Sequence, residues 1–198
     1  MLHIVMMCTG NICRSPLAAI LLEDRLSDAT VSVSSVGTRA RDGALMDKES
    51  LRQGELRGVS VERMTAHRAK RVTQSDLSQA DLILGMTREH RREAAELSPS
   101  SIRKTFTLRE LSHILRYLSD EDLFAASDIA PDDDRQRRFA TILWSVSQQR
   151  GVITPPPDPE KYDIIDPYNR SGTVHERAAV EIDAGLDAVE RLIKLSAR

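Results

Sequence analysis

"MLHIVMMCTGNICRSPLAAILLEDRL" (residues 1–26) holds the stretch on which the reading of this chain turns. An apolar run, Ile4 to Met7, stops at Cys8, and six residues later comes Arg14, followed by Ser15 and Pro16. Leu17, Ala18, Leu21, Leu22 and Leu26 then recur at helical spacing. Residues 2–7 read as a strand. Pro16 suits the first turn of a helix, where its missing N–H costs little. A loop between a strand's C-terminal end and a helix start is the usual ligand position of an open α/β sheet. The helix start offers unpaired N–H groups and a partial positive charge, and successive loop N–H groups can converge on an anion. Gly10 lets the backbone take a conformation closed to other residues, and Asn11 tolerates the left-handed region better than most. A dianion of phosphate size suits such a loop.

Two side chains turn this cradle into a candidate catalyst. Cys8 would lie at its base, where the field favours the nucleophilic thiolate. Arg14 offers a planar fork to two phosphate oxygens and can follow charge into a transition state. By residue type alone Cys8 is also a small buried hydrophobe. The alternative phosphate loop, G-x-x-x-x-G-K-[ST], does not occur.

The rest of the chain repeats the alternation of strand and helix. Residues 31–36 predict a second strand before Gly37, 47–57 a helix ended by Gly58, and 82–84 a buried third strand. A helix is expected from about Thr87 to Leu97, a fourth strand in "RKTFTL" (103–108), and a helix from about Leu108 to Leu118. Ala178, Ile182, Leu186, Val189 and Ile193 form a long amphipathic stripe. The expected fold is a three-layer α/β/α domain spanning 1–198, with a central, mainly parallel four-stranded sheet. Residues 109–160 fit less well. There Phe139, Ile142, Leu143 and Val146 mark an inserted helix between two loops, either flanking the pocket or only enlarging the core.

Composition sets outer bounds. The 198 residues are 40% hydrophobic with a formal net charge of −2, which gives no global attraction to nucleic acid or an anionic membrane. No apolar run approaches a membrane span, and the N-terminus lacks the parts of a signal peptide, so a cytoplasmic location is the expectation. There Cys8 and Cys13 should be mostly reduced. Two cysteines cannot make a four-thiolate zinc site, and no His pair at finger spacing completes one, so no metal and no cofactor is expected.

"CTGNICRSP" (8–16) resembles the C-x-G-N-I-C-R-S-P signature of the low-molecular-weight protein tyrosine phosphatases. "SSVGT" (34–38), "HRAKRVT" (67–73), "ADLILGM" (80–86) and "DIIDPY" (163–168) resemble further family segments in the same order. The resemblance implies a metal-independent phosphatase acting on phosphotyrosine in proteins through a phosphocysteine. It casts Cys8 as nucleophile, Arg14 as phosphate ligand and Asp166 as the general acid that later activates water. Thr9, Gly10, Asn11, Ile12, Cys13 and Ser15 complete the phosphate loop, with Ser15 donating to the Cys8 thiolate. Asn11 and His67 become the pair that holds the loop in shape, Tyr168 an aromatic wall, and Cys13 a partner for a reversible disulfide with Cys8. The implied protein partner is a phosphotyrosine protein, such as an autophosphorylating bacterial tyrosine kinase, and the implied state a monomer or weak dimer.

Residue type alone reads several of these differently: Ser15 as a helix N-cap, Asp166 as a turn residue before proline, His67 as an ordinary histidine, Cys13 as a core thiol facing the first strand. The chain also departs from the family pattern. "TRARDGALMDK" (38–48) lacks the aromatic that members often place at the pocket rim, leaving Arg39 or Arg41 to stack on a ring, attract an acidic peptide, or stay solvated. Tyr168 is followed by Asn169 rather than a second aromatic, and Thr87 stands where many members have aspartate. Three other functions remain in view. Protein-arginine phosphatases of the family commonly carry threonine at the position of Thr9. A catalytically silent phosphoprotein-binding module would not need Cys8 and Asp166. An arsenate reductase of the thioredoxin-coupled type needs late cysteines, and none follows Cys13.

Overall fold

A computed structural model describes residues 1–26, 30–127 and 134–197. The first strand, β1 (Leu2–Cys8), is buried almost throughout. It leads through the loop into α1 (Arg14–Arg25) and then β2 (Val31–Gly37). Three short helices follow, α2 (Lys48–Glu55), α3 (Val61–Thr65) and α4 (Gln74–Gln79). Next come β3 (Leu82–Gly85), α5 (Arg88–Leu97) and β4 (Thr105–Thr107). The chain continues through α6 (Leu108–Leu115), α7 (Asp120–Ser127) and α8 (Arg135–Gln148) to α9 (Gly172–Ser196).

The four strands lie in the order β2-β1-β3-β4, every pair parallel. A parallel sheet needs both faces covered, which is why β1 reads as a continuous apolar run. Leu2, Ile4, Met6 and Cys8 face the larger core with α1, α6, α8 and α9. Val5 and Met7 face a smaller one with Val36, Leu77, Ile83 and Ala94. The strand order reverses at β1, so the loop after it opens into the crevice where such sheets bind ligands.

The expected elements are present, with ends shifted by a few residues. The expected helix at 47–57 starts after Asp47, whose carboxylate caps it by accepting from the Glu49 and Ser50 amides. The expected helix at 108–118 stops at Leu115. Sequence periodicity missed α3 and α7, of five and eight residues, both too short to show a clear stripe.

Phe139, Ile142, Leu143 and Val146 of α8 are buried in the main core, as their spacing predicts. Residues 128–133, part of the loop expected before this helix, lie outside the described residues. At its far end Arg150 stacks on Phe106, 3.9 Å from the ring centroid, and donates to Glu110 at 3.0 Å and to the Thr105 carbonyl. Among the described residues no helix is long and apolar enough to cross a membrane.

Candidate active site

The loop from Cys8 to Arg14 is held from below by one buried asparagine. Asn11 sits in the left-handed region at φ 54° and is wholly buried. Its Nδ2 donates to Ser15 Oγ at 3.0 Å and Ser35 Oγ at 2.9 Å, while its Oδ1 accepts the Lys70 amide at 2.8 Å. Its own carbonyl accepts from His67 Nε2 at 2.8 Å, which fixes that tautomer. Burial pushes the His67 imidazole below its ordinary pKa, consistent with a neutral single donor. Asn11 and His67 are therefore brought together, as the resemblance implied. Gly10 is different: the structure gives it no positive φ, and the left-handed step belongs to Asn11, whose side-chain bonds stabilise it there.

Cys8 Sγ receives the Asn11 N–H at 3.2 Å and stands 2.9 Å from Ser15 Oγ. Ser15 does not cap α1: the cap position is Cys13, without a side-chain bond, and Ser15 lies inside the first turn. Because its Oγ accepts from Asn11, its own proton is left for Cys8 Sγ or, at a longer 3.3 Å, the Val36 carbonyl.

Cys13 is buried. Its side chain bonds Ser50 of α2, and burial, reinforced by the Asp47 charge, pushes its thiol up to about 12. Both cysteines are free thiols.

Arg14 is almost fully buried, with Nη1 donating to the Ile164 carbonyl at 3.2 Å and Nη2 paired with Asp166 Oδ1 at 3.1 Å. Asp166 also accepts the Tyr168 amide at 3.3 Å, so it is a turn residue and an Arg14 partner at once. A cavity of about 390 Å³ is lined by Cys8, Thr9, Gly10, Ile12, Cys13 and Arg14, with Asp166, Tyr168, Arg39, Arg41 and Ala44 at its walls. A larger neighbour of about 530 Å³ shares Arg14 and Asp166 but not Cys8. Cys8 lines only the smaller of these two.

Among the described residues of 109–160 none lines the Cys8 cavity, whereas Arg109, Asp158 and Glu160 line its neighbour. Arg39 pairs with Glu89 and Glu93 at 3.8 and 3.5 Å and remains mostly solvated.

Sequence reasoning missed two groups. The segment carrying Asp166 is strapped to the body: Ile164 N donates to the Met86 carbonyl at 2.8 Å and Ile165 N to Glu181 Oε2 at 3.0 Å. Arg109 donates to the Asp163 carbonyl at 3.1 Å and Arg88 to the Asp163 carboxylate at 2.9 Å. Glu181 sits one turn from the buried stripe of α9, and nothing in its spacing separates it from other helix carboxylates. The second group is His90, buried between Thr9 and Thr87, with Nε2 2.9 Å from Thr9 Oγ1 and Nδ1 2.7 Å from Thr87 Oγ1. Thr87 also caps α5.

The sequence profile of the family described as low molecular weight phosphotyrosine protein phosphatase matches residues 3–122. The chain belongs to that family. A low molecular weight phosphatase relative, the probable low molecular weight protein-tyrosine-phosphatase EpsP of Ralstonia nicotianae, is 28% identical over 185 residues, spanning 93% of this chain and 91% of that protein. The protein-arginine-phosphatase of Geobacillus stearothermophilus is 34% identical over 108 residues, 54% of this chain and 70% of that one. Among solved structures, the YwlE arginine phosphatase from the same organism superposes with a TM-score of 0.67 at 24% identity, covering 98% of this chain and 94% of that one. Vibrio vulnificus Wzb in complex with benzylphosphonate gives 0.64 at 23%, covering 96% and 97%. At these identities the superpositions show the low molecular weight phosphatase fold.

Proposed function

We propose that this chain is a metal-independent phosphatase that hydrolyses phosphotyrosine in proteins through a phosphocysteine on Cys8. The observation that carries the reading is the convergence of Cys8 Sγ, the Arg14 guanidinium and the Asp166 carboxylate on one cavity. Backbone N–H groups from Thr9 to Arg14 and the Arg14 fork receive the phosphate dianion. As Arg14 turns to the phosphoryl oxygens, its hold on Asp166 weakens, and the dianion beside that carboxylate favours its protonated form. Cys8 thiolate then attacks phosphorus, the P–O bond to the phenol breaks, and the Asp166 proton goes to the departing oxygen. In the second step Asp166 takes a proton from water, water oxygen bonds to phosphorus, and the P–S bond breaks to restore the thiolate. The Ser15 hydroxyl stabilises the sulfur anion in both steps. Tyr168 supplies an aromatic wall, and Arg39 and Arg41 line the same cavity in a loop that lacks an aromatic.

The physiological partner we propose is a phosphotyrosine protein such as an autophosphorylating bacterial tyrosine kinase, met in the cytoplasm. A second reading, protein-arginine phosphatase, is supported by the similarity to the arginine-phosphatase relative. Steady-state phosphate release from phosphotyrosine and phosphoarginine peptides, without metal, separates the two. The proposal expects phosphotyrosine turnover that Cys8→Ser abolishes. Preference for phosphoarginine keeps the nucleophile and changes the substrate, and no turnover of either by folded, reduced protein rejects both.

A further inference from the structure

We infer that His90 is a positioning residue that fixes the direction of the Thr9 hydroxyl in the cavity wall and thereby biases the site toward oxygen leaving groups. The inference rests on the phosphatase reading of the Cys8 site.

Thr9 follows the nucleophile directly and lines the cavity. Its Oγ1 does not hang free: His90 Nε2 lies 2.9 Å away, and the opposite ring nitrogen is 2.7 Å from Thr87 Oγ1. The ring is only 3% exposed, so it cannot turn to water for either bond. Burial, with the Arg14 charge acting in the same direction, lowers the imidazole pKa to about 4, so near neutral pH the ring has one donor and one acceptor.

The hydroxyl of Thr87 decides which nitrogen carries the proton. It already accepts the His90 backbone N–H at 3.4 Å as the cap of α5. If Nδ1 accepts, Thr87 donates its proton there, and every group in the chain is used once. If Nδ1 carried the proton, Thr87 would accept twice and its own proton would lack a partner in the relay. The first arrangement places the hydrogen on Nε2, which donates to Thr9 Oγ1. Thr9 therefore keeps its own proton, directed away from the imidazole and into the cavity. There it meets an oxygen of the phosphoryl or leaving group as a donor. A guanidinium, rich in N–H groups, gains less from a donor at this wall than an aryl ester does.

The test is a double-mutant cycle with His90→Ala, Thr9→Val and the pair, read as the ratio of kcat/KM for a phosphotyrosine peptide to that for a phosphoarginine peptide. Each single change should lower that ratio by about tenfold, the worth of one hydrogen bond. The pair should lower it no further, because both act through one contact. His90→Gln, whose amide reaches the Nε2 position, should restore much of the ratio. A merely structural role would lower stability and leave the ratio alone. A ratio unchanged in His90→Ala, or effects that multiply in the pair, overturns the inference. Should wild-type protein hydrolyse neither substrate, the phosphatase reading falls by itself. The same cycle on vanadate affinity then decides the relay, with non-additive losses supporting it and independent ones rejecting it. Imidazole nitrogen shifts of the wild-type protein give a check that needs no variant. They should show Nε2 protonated and Nδ1 bare, and the opposite tautomer contradicts the inference.

Discussion

The Arg14 guanidinium and the Asp166 carboxylate stand 3.1 Å apart, the arginine side chain 5% exposed and the carboxylate 57%. The arginine is thus the fixed partner and the carboxylate the one with room to move, as the proposed roles of phosphate ligand and general acid require. The pair also sets the two in competition: Asp166 holds the nitrogen that a phosphate dianion would take.

Asp166→Asn therefore has two opposite effects. Loss of the proton donor should lower kcat by a factor on the order of 100 to 10,000, most for the poorest leaving groups. Loss of the competing anion should tighten binding of inorganic phosphate or vanadate, measured by calorimetry. Weaker binding in the variant would mean that Asp166 does not restrain Arg14.

Glu181 is predicted to act on the same step from a distance. It accepts the Ile165 amide next to Asp166 and pairs with Arg109 at 3.3 Å and Arg177 at 3.1 Å. Glu181→Ala leaves that amide without its acceptor, at a cost of about 1–3 kcal/mol. The consequence should appear as a lower kcat for aryl phosphates with poor leaving groups and little change for good ones, which need no proton. Equal loss for both classes would place its effect elsewhere.

Gly37 lies under the phosphate loop, where a Cβ would stand 2.6 Å from the Thr9 carbonyl oxygen and 2.9 Å from the Asn11 nitrogen. Both are backbone atoms and cannot swing aside. Gly37→Ala should destabilise the fold by about 1–3 kcal/mol and displace the loop. Vanadate affinity should drop with it in protein that remains folded by circular dichroism. Wild-type affinity in the variant would show that the loop tolerates the shift.

Both cysteines line the cavity, so access alone does not distinguish them. Protonation does. Cys13 is pushed up to about 12 by burial, whereas Cys8 Sγ faces the Asn11 N–H and the Ser15 hydroxyl. Iodoacetamide near neutral pH should modify Cys8 alone, and inorganic phosphate should protect it. Comparable labelling of Cys13, located by peptide mass mapping, would contradict this.

Stability should depend on pH through His90. Its folded pKa of about 4 lies below the ordinary 6.5, so the unfolded chain binds the extra proton first. Stability is full above about 6.5, falls as pH drops through that window, and levels off below about 4. The loss is roughly 3 kcal/mol at most. His67, lowered by burial too, adds in the same direction. Urea unfolding should show a shallower acid limb in His90→Gln than in wild type. Parallel limbs would mean the ring is already charged when folded.

The strand–loop–helix unit was legible in the sequence because β1 is buried on both faces and Pro16 and Leu17 mark the helix. The positions of Cys8, Arg14 and Asp166 followed from motif order. What stayed hidden lies in contacts between distant segments. Thr9 and His90 are 81 residues apart, and Ile165 and Glu181 are joined by a backbone amide that has no side-chain signature. Ser15 was open to two readings because a serine before proline suits a helix cap as well as a thiolate partner, and only the position of Sγ chooses between them. Asn11 was legible as a residue that tolerates the left-handed region, and it takes it, whereas the freedom expected of Gly10 is not used as a positive φ.

The most direct test of the central claim is rapid-quench mass spectrometry of the Cys8 peptide during turnover of an aryl phosphate by Asp166→Asn, which slows both steps. A transient phosphoryl group should appear on Cys8 and be absent in Cys8→Ser. Phosphate released at the variant's steady rate with no phosphoryl group on Cys8 at any time would show direct attack by water and contradict it.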